Sequence, residues 1–135
     1  MRAGQFIAIV VVILMTSAGA RAQRACRGVD QKLTSSGKQE YAALVAQDMR
    51  GKVKPSQVEV LGFMKEGAWT VAYVSTPVSD DGYFFFAEER GTKRAKDVWG
   101  GMAQPSERPE IAAWAEKLGA PERLARCFAL HATGE

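Results

Sequence analysis

The sequence has few of the residues from which most enzyme and metal sites are built. It contains one histidine, His131, and two cysteines, Cys26 and Cys127, about 100 positions apart. A structural zinc site takes four cysteine or histidine ligands at close spacing, and Asp80-Asp81-Gly82 lacks the alternating oxygen ligands of a calcium loop. Nucleophile-elbow, serine–lysine, phosphate-loop and dinucleotide-binding motifs are absent as well. The sequence therefore predicts no catalytic residue, no metal site and no cofactor.

Long hydrophobic runs are also missing. The longest uncharged apolar stretch, 6–15, has ten residues, whereas a transmembrane helix needs roughly 20. Arg2 precedes this stretch and small residues ending in Ala20-Arg21-Ala22 follow it, which is the three-part pattern of a secretory signal peptide. We expect a signal peptide at 1–22, with a cut after Ala20 or an uncleaved anchor as alternatives. The mature chain, 23–135, is then exported to the periplasm or the medium and keeps no stable membrane anchor.

The mature chain carries almost no net charge. The full sequence has 18 basic and 15 acidic side chains, and Arg2 and Arg21 lie in the signal peptide, so 16 basic and 15 acidic side chains remain. This balance and the predicted export both argue against nucleic acid as a partner. The remaining 113 residues suffice for one domain but not for two. No internal repeat, low-complexity tract or linker divides them.

The two cysteines predict a structural disulfide. An even number of cysteines in a small exported domain is typical of disulfide pairing, and Cys26 and Cys127 allow a single intramolecular bond. The alternative is a reactive Cys127 thiol with His131 four residues later on the same helical face as its base. No third group that would orient His131 is evident in the sequence, so the disulfide is the favoured interpretation.

Periodicity predicts an α+β domain formed by an N-terminal helix, a four-stranded antiparallel meander and two C-terminal helices. The first helix has a capping box at Ser36 and Gln39 and ends near Gly51. The predicted strands are 58–64, 68–76, 83–87 and 93–99, with turns at 65–67, 80–82 and 90–92. Ser106 is expected to cap the next helix, which ends at Gly119, and Pro121 opens the last helix.

The third strand, Tyr83 to Ala87, places four aromatic residues in a row. Because successive side chains of a strand point to opposite faces, both faces of this strand must bury apolar groups. Two arrangements satisfy this: helices on both faces, or helices on one face with part of the other exposed as a binding surface or dimer interface. We expect the second.

Two surface segments are candidate contacts for a partner. A basic hairpin suits an anionic partner, although lysines on an edge strand also discourage aggregation. Its residues are Arg90, Lys93, Arg94 and Lys96. The loop 99–102 combines an aromatic residue, two glycines and a methionine in an adaptable contact site, unless the tryptophan only closes the core. Its residues are Trp99, Gly100, Gly101 and Met102.

The remaining aromatic residues of the strands predict either a core or a ligand cavity with a sugar-stacking face. In a domain of this size the core is the favoured interpretation. These residues are Trp69, Tyr73, Tyr83, Phe84, Phe85 and Phe86.

The arrangement resembles, in its general architecture, small exported domains of the cystatin-like kind, in which a helix packs on a curved antiparallel sheet. No functional motif of that family is matched, so the resemblance implies no activity and no site residue. Three functions remain open. In order of preference they are an exported non-catalytic binding or accessory protein, of inhibitor or immunity type, that contacts another protein or a second copy of itself; a periplasmic small-ligand binder with an aromatic cavity; and a small hydrolase or thiol enzyme.

Overall fold

In a computed structural model of the chain, the structure describes residue 19 and residues 24–134. The predicted signal peptide, apart from Gly19, and its cleavage site lie outside the described residues. Within the described part of the chain, no helix has the length and the apolar composition needed to cross a membrane.

The predicted α+β order is confirmed. A four-stranded antiparallel sheet with the strand order β1-β2-β3-β4 lies between one N-terminal and two C-terminal helices. Single turns of 3-10 helix, Pro55–Gln57 and Pro105–Glu107, connect the helices to the sheet. The elements are α1 (Ser35–Asp48), β1 (Glu59–Glu66), β2 (Trp69–Thr76), β3 (Ser79–Glu89), β4 (Thr92–Gly100), α2 (Arg108–Leu118) and α3 (Glu122–Ala132).

Both faces of the sheet are covered by helices, so the expectation that helices cover one face is wrong. Phe84 and Phe86 of β3 pack in one cluster with Tyr41 and Val45 of α1. On the other face, Phe85 packs in a second cluster with residues of α2 and α3. The alternation of the aromatic run supplies each layer with its own apolar side chains. The sheet thus separates two hydrophobic cores.

The turn between β2 and β3 lies earlier than the sequence indicated. Thr76 pairs with Ser79, so Pro77 and Val78 form the turn, and Asp80, Asp81 and Gly82 belong to β3. Proline presets the backbone angle that the first position of a tight turn requires, and the Thr76 and Ser79 hydroxyls are 2.9 Å apart across it. As a result, Asp81 is a strand residue on the same face as Tyr83.

Two of the predicted helix starts are also corrected. The α1 cap is Thr34, whose side-chain oxygen accepts a hydrogen bond from the Gly37 N–H, and the helix begins at Ser35. Ser106 lies in the 3-10 turn, and α2 begins at Arg108. Thr34 has the extended backbone of an N-cap, so its hydroxyl reaches a free N–H of the first turn. The predicted end of α2 at Gly119 is confirmed, with a left-handed φ of 113°.

The predicted disulfide is confirmed. Cys26 is bonded to Cys127, with their Cα atoms 4.7 Å apart. The bond attaches the segment before α1 to the buried side of α3, where Leu124 and Phe128 are fully buried. A short antiparallel bridge between Asp30 and Lys65 fixes the same segment along the edge of β1.

Candidate binding cleft

A row of aromatic side chains crosses the sheet on the face that carries α2 and α3. In the strand register, Tyr73 of β2 is paired with Tyr83 of β3, and Tyr83 is paired with Trp99 of β4. Gly62 of β1 is paired with Tyr73 and ends the row without a side chain. Paired residues point to the same face, so the three rings lie side by side. Tyr73 and Tyr83 are stacked with their centroids 4.5 Å apart, and Trp99 is tilted at 6.1 Å from Tyr83.

The last turn of α3 covers only part of this row. Phe128 packs against Tyr83 and Trp99 with centroid distances of 5.1 and 5.7 Å. The helix ends at Ala132, and beyond it the rings remain half-buried. Two depressions of about 320 Å³ each lie here and share Tyr73, Tyr83 and His131. We call this region the aromatic cleft and define it by Tyr73, Asp81, Tyr83, Trp99 and His131.

Polar groups stand at the edge of the aromatic cleft. The Tyr73 hydroxyl donates to the Asp81 carboxylate over 3.4 Å, which is longer than the usual distance for such a bond and therefore weak. The His131 Nε2 lies 2.8 Å from the Gln31 Oε1. These contacts leave Asp81 with capacity for a further hydrogen-bond or ionic partner.

Burial and charge shift the titration of the cleft residues. Burial, followed by the neighbouring Asp81 charge, raises the pKa of Tyr73. Burial, with Tyr73 beside it, raises the pKa of Tyr83 to about 12. Burial lowers the pKa of His131 below its usual value of 6.5. Both phenols and the imidazole are therefore neutral at pH 7, and the Asp81 carboxylate supplies the negative charge of the cleft.

The predicted loop contact forms one wall of the cleft. Trp99, Gly100, Gly101 and Met102 all line the depression that contains Asp81. Trp99 packs in part against the core, as the alternative interpretation held, while Met102 is fully exposed. Gly101 has a φ of 104°, a conformation that favours glycine and that turns the chain out of β4. The structure thus places Met102 beside the half-buried rings.

The predicted basic hairpin lies apart from the cleft. Lys93 and Trp99 are six positions apart along β4, which separates them by about 20 Å. Lys93 pairs with Glu40 and lies 5.0 Å over the Tyr41 ring, and Lys96 pairs with Glu89. Arg94 is also within ion-pair distance of Glu89, at 3.8 Å. These cations are engaged within the domain, which fits protection of an edge strand.

The cysteines offer no free thiol for chemistry. The Cys26 and Cys127 sulfurs and a nitrogen of His131 lie within 4.8 Å of one another. Both sulfurs are consumed in the disulfide, and the chain has no other cysteine. The alternative of a thiol–imidazole pair therefore has no nucleophile in this structure.

For Tyr73 and Tyr83, the sequence favoured a place in the core over a ligand cavity or sugar-stacking face. It did not identify Asp81 or Gln31 as site residues. The position of the β2–β3 turn decides which residues are paired across the strands, and Pro77 was the available indication of that turn. Comparisons with models of protein families, with curated proteins and with solved structures give no match to this chain, so the aromatic cleft is interpreted from its own residues.

Proposed function

We propose that this protein is an exported, non-catalytic binding protein of inhibitor, immunity or accessory type, and that the aromatic cleft and the 99–102 loop contact its partner protein. The observation that carries the proposal is the open end of the aromatic row, where half-buried rings adjoin the fully exposed Met102. Aromatic residues and methionine are enriched at protein interfaces, and methionine adapts its shape to a partner.

The location part of the proposal is supported by the disulfide. Bonds of this kind form and persist in oxidising compartments and are rare in the cytosol. The Cys26–Cys127 bond therefore indicates a non-reducing, exported compartment. The predicted signal peptide leads to the same location independently of the fold.

A small ligand is the second candidate occupant. Each depression of about 320 Å³ lies at the lower end of the usual size of ligand sites. The sheet interior is filled on both faces by the two clusters, so a ligand would lie in the open cleft and not inside the domain. An open contact of this kind suits a protein surface better than an enclosed small molecule.

The test is affinity capture with matched variants. The tagged protein is expressed in the envelope of the source cell, lightly crosslinked, and the captured proteins are identified. We expect one partner at near-equal amount with the wild type, and a loss of at least about ten-fold with Met102→Lys, because a charge is placed in an apolar contact. Val98→Ser is the control, since Val98 is also exposed but points to the opposite face of β4.

Capture of nothing by the wild type, or equal capture by the wild type and Met102→Lys, would reject the proposed contact. Loss of the partner with Val98→Ser but not with Met102→Lys would place the interface on the other face of the sheet.

A further inference from the structure

We propose that the aromatic cleft receives a basic side chain, lysine or arginine, from the partner protein. This inference rests on the proposed function and specifies the chemistry of its contact. The arrangement behind it is a row of three aromatic rings with one carboxylate at its edge, next to the C-terminal end of a helix.

The charge of the cleft favours a cation. Among the described residues, no lysine or arginine lines either depression, although the chain as a whole has more basic than acidic side chains. Asp81 has no ion pair with any described residue, and its hydrogen bond to Tyr73 is long at 3.4 Å. A cation placed beside Asp81 would therefore gain a partner that this domain does not supply.

The rings favour a cation as well. The face of an aromatic ring is electrostatically negative, and lysine or arginine within about 6 Å of the ring centroid is attracted to it. The same domain already shows this contact at a different place, where the Lys93 ammonium lies 5.0 Å from the centre of the Tyr41 ring. In the cleft, Tyr73 and Trp99 have partly exposed rings, and no described cation occupies them.

The end of α3 adds a third contribution. His131, Ala132 and Thr133, from the last turn and the cap of this helix, line the cleft. The C-terminal end of a helix carries a partial negative charge, and a cation is stabilised there. The carboxylate, the rings and the helix end thus favour the same sign of charge in one place.

A neutral sugar is the main competing occupant, because aromatic rings with polar groups at their edge also suit sugar stacking. The long stem of lysine or arginine uses the apolar rings while its charged end reaches Asp81. The sugar would use the rings and could donate its hydroxyls to Asp81, but it would bring no charge opposite to the carboxylate. The charge of the cleft therefore decides in favour of the basic side chain.

The experiment compares three matched probes on the purified, disulfide-bonded protein. These are the Nα-acetyl, N-methylamide forms of lysine, arginine and norleucine, where norleucine keeps the apolar stem of lysine and lacks its charge. Binding is followed by the shift of the Trp99 indole N–H resonance, with methyl glucoside as the sugar control. We expect the lysine and arginine probes to bind about five-fold more tightly than norleucine, and added salt to weaken this preference.

Two variants assign the preference to its residue. Asp81→Asn should bring the affinity of the lysine probe close to that of norleucine, because only the smaller contributions of the rings and the helix end remain. Asp80→Asn removes the neighbouring carboxylate, which lines neither depression, and should leave the preference unchanged. The inference would be overturned if norleucine or methyl glucoside bound as tightly as the lysine and arginine probes. It would also be overturned if Asp81→Asn and Asp80→Asn changed the preference for the lysine probe by the same amount.

The results also separate this inference from the proposed function. If a partner is captured through Met102 but the basic probes show no preference, the binding function is retained. The inference that the cleft receives a basic side chain is then rejected. A clear preference for the basic probes without any captured partner would retain the cation site and reject the protein partner.

Discussion

At the scale of single residues, His131 connects the aromatic cleft to the stability of the fold. It is the only histidine of the chain, and it lies half-buried at the end of α3 with Gln31 at 2.8 Å from its Nε2. Burial lowers the pKa of His131 in the folded protein below the 6.5 of the unfolded chain. Between these two pKa values, the unfolded state binds more protons than the folded state.

We therefore expect the free energy of unfolding to be highest above pH 6.5 and to fall as the pH is lowered through the folded-state pKa. Between pH 7.5 and 5.5, His131→Gln should lose less free energy of unfolding than the wild type, because no other side chain of this protein ordinarily titrates in that range. Urea unfolding at several pH values measures both proteins. An identical fall in the variant would show that His131 is not the cause.

The residue scale also shows what the sequence could predict. Cys26 and Cys127 were paired correctly because two cysteines allow one bond, and the pairing needed no geometry. Asp81 was missed because its role depends on being a strand residue on the same face as Tyr83. A shift of the turn by a few residues changes that face, since neighbouring strand residues alternate.

At the scale of elements, one buried hydrogen bond joins α1 to the sheet. The Tyr41 hydroxyl donates to the Thr70 hydroxyl of β2 at 2.9 Å, and both residues are almost fully buried. The Tyr41 ring also contacts Phe63 and Phe86 at centroid distances of 5.5 Å. The helix is thus fixed to the sheet by an apolar layer with one polar contact inside it.

We expect Tyr41→Phe to lower the free energy of unfolding by about 1–2 kcal/mol, because the ring stays but the Thr70 oxygen loses its donor. Thr70→Val should also be destabilising. The double variant should lose less free energy of unfolding than the sum of the losses in the two single variants, because it leaves no buried hydroxyl unpaired. Denaturant unfolding of all four proteins gives the coupling energy, and strictly additive losses would contradict a direct bond.

The element order was predictable, but the layer arrangement was not. The aromatic run of β3 indicated a strand that buries apolar side chains on both faces. The sequence contains no comparable indication of which helix covers which face, because a helix stripe shows only that one side is buried. α1 and the α2–α3 pair occupy opposite faces, and this follows from packing between distant segments.

At the scale of the whole molecule, the disulfide joins segments 101 positions apart. We expect Cys26→Ala together with Cys127→Ala to lower the free energy of unfolding by up to about 4–5 kcal/mol, because a cross-link over so long a loop restricts the unfolded chain. Urea unfolding with and without reductant measures this effect. The double variant should not respond to reductant, and a loss below about 1 kcal/mol would show that the bond contributes little.

The same bond has a consequence for cleavage of the backbone. Residues 26 to 127 form a covalent ring that contains β1 to β4, so a protease cut in any of the hairpin turns between them would open the ring without releasing a fragment. The strands β1 to β4 and the helices α1 to α3 would remain one molecule, and only reduction after the cut would separate it into pieces. Where proteases are present, a single cut in a turn would thus leave the aromatic cleft attached to both of its cores.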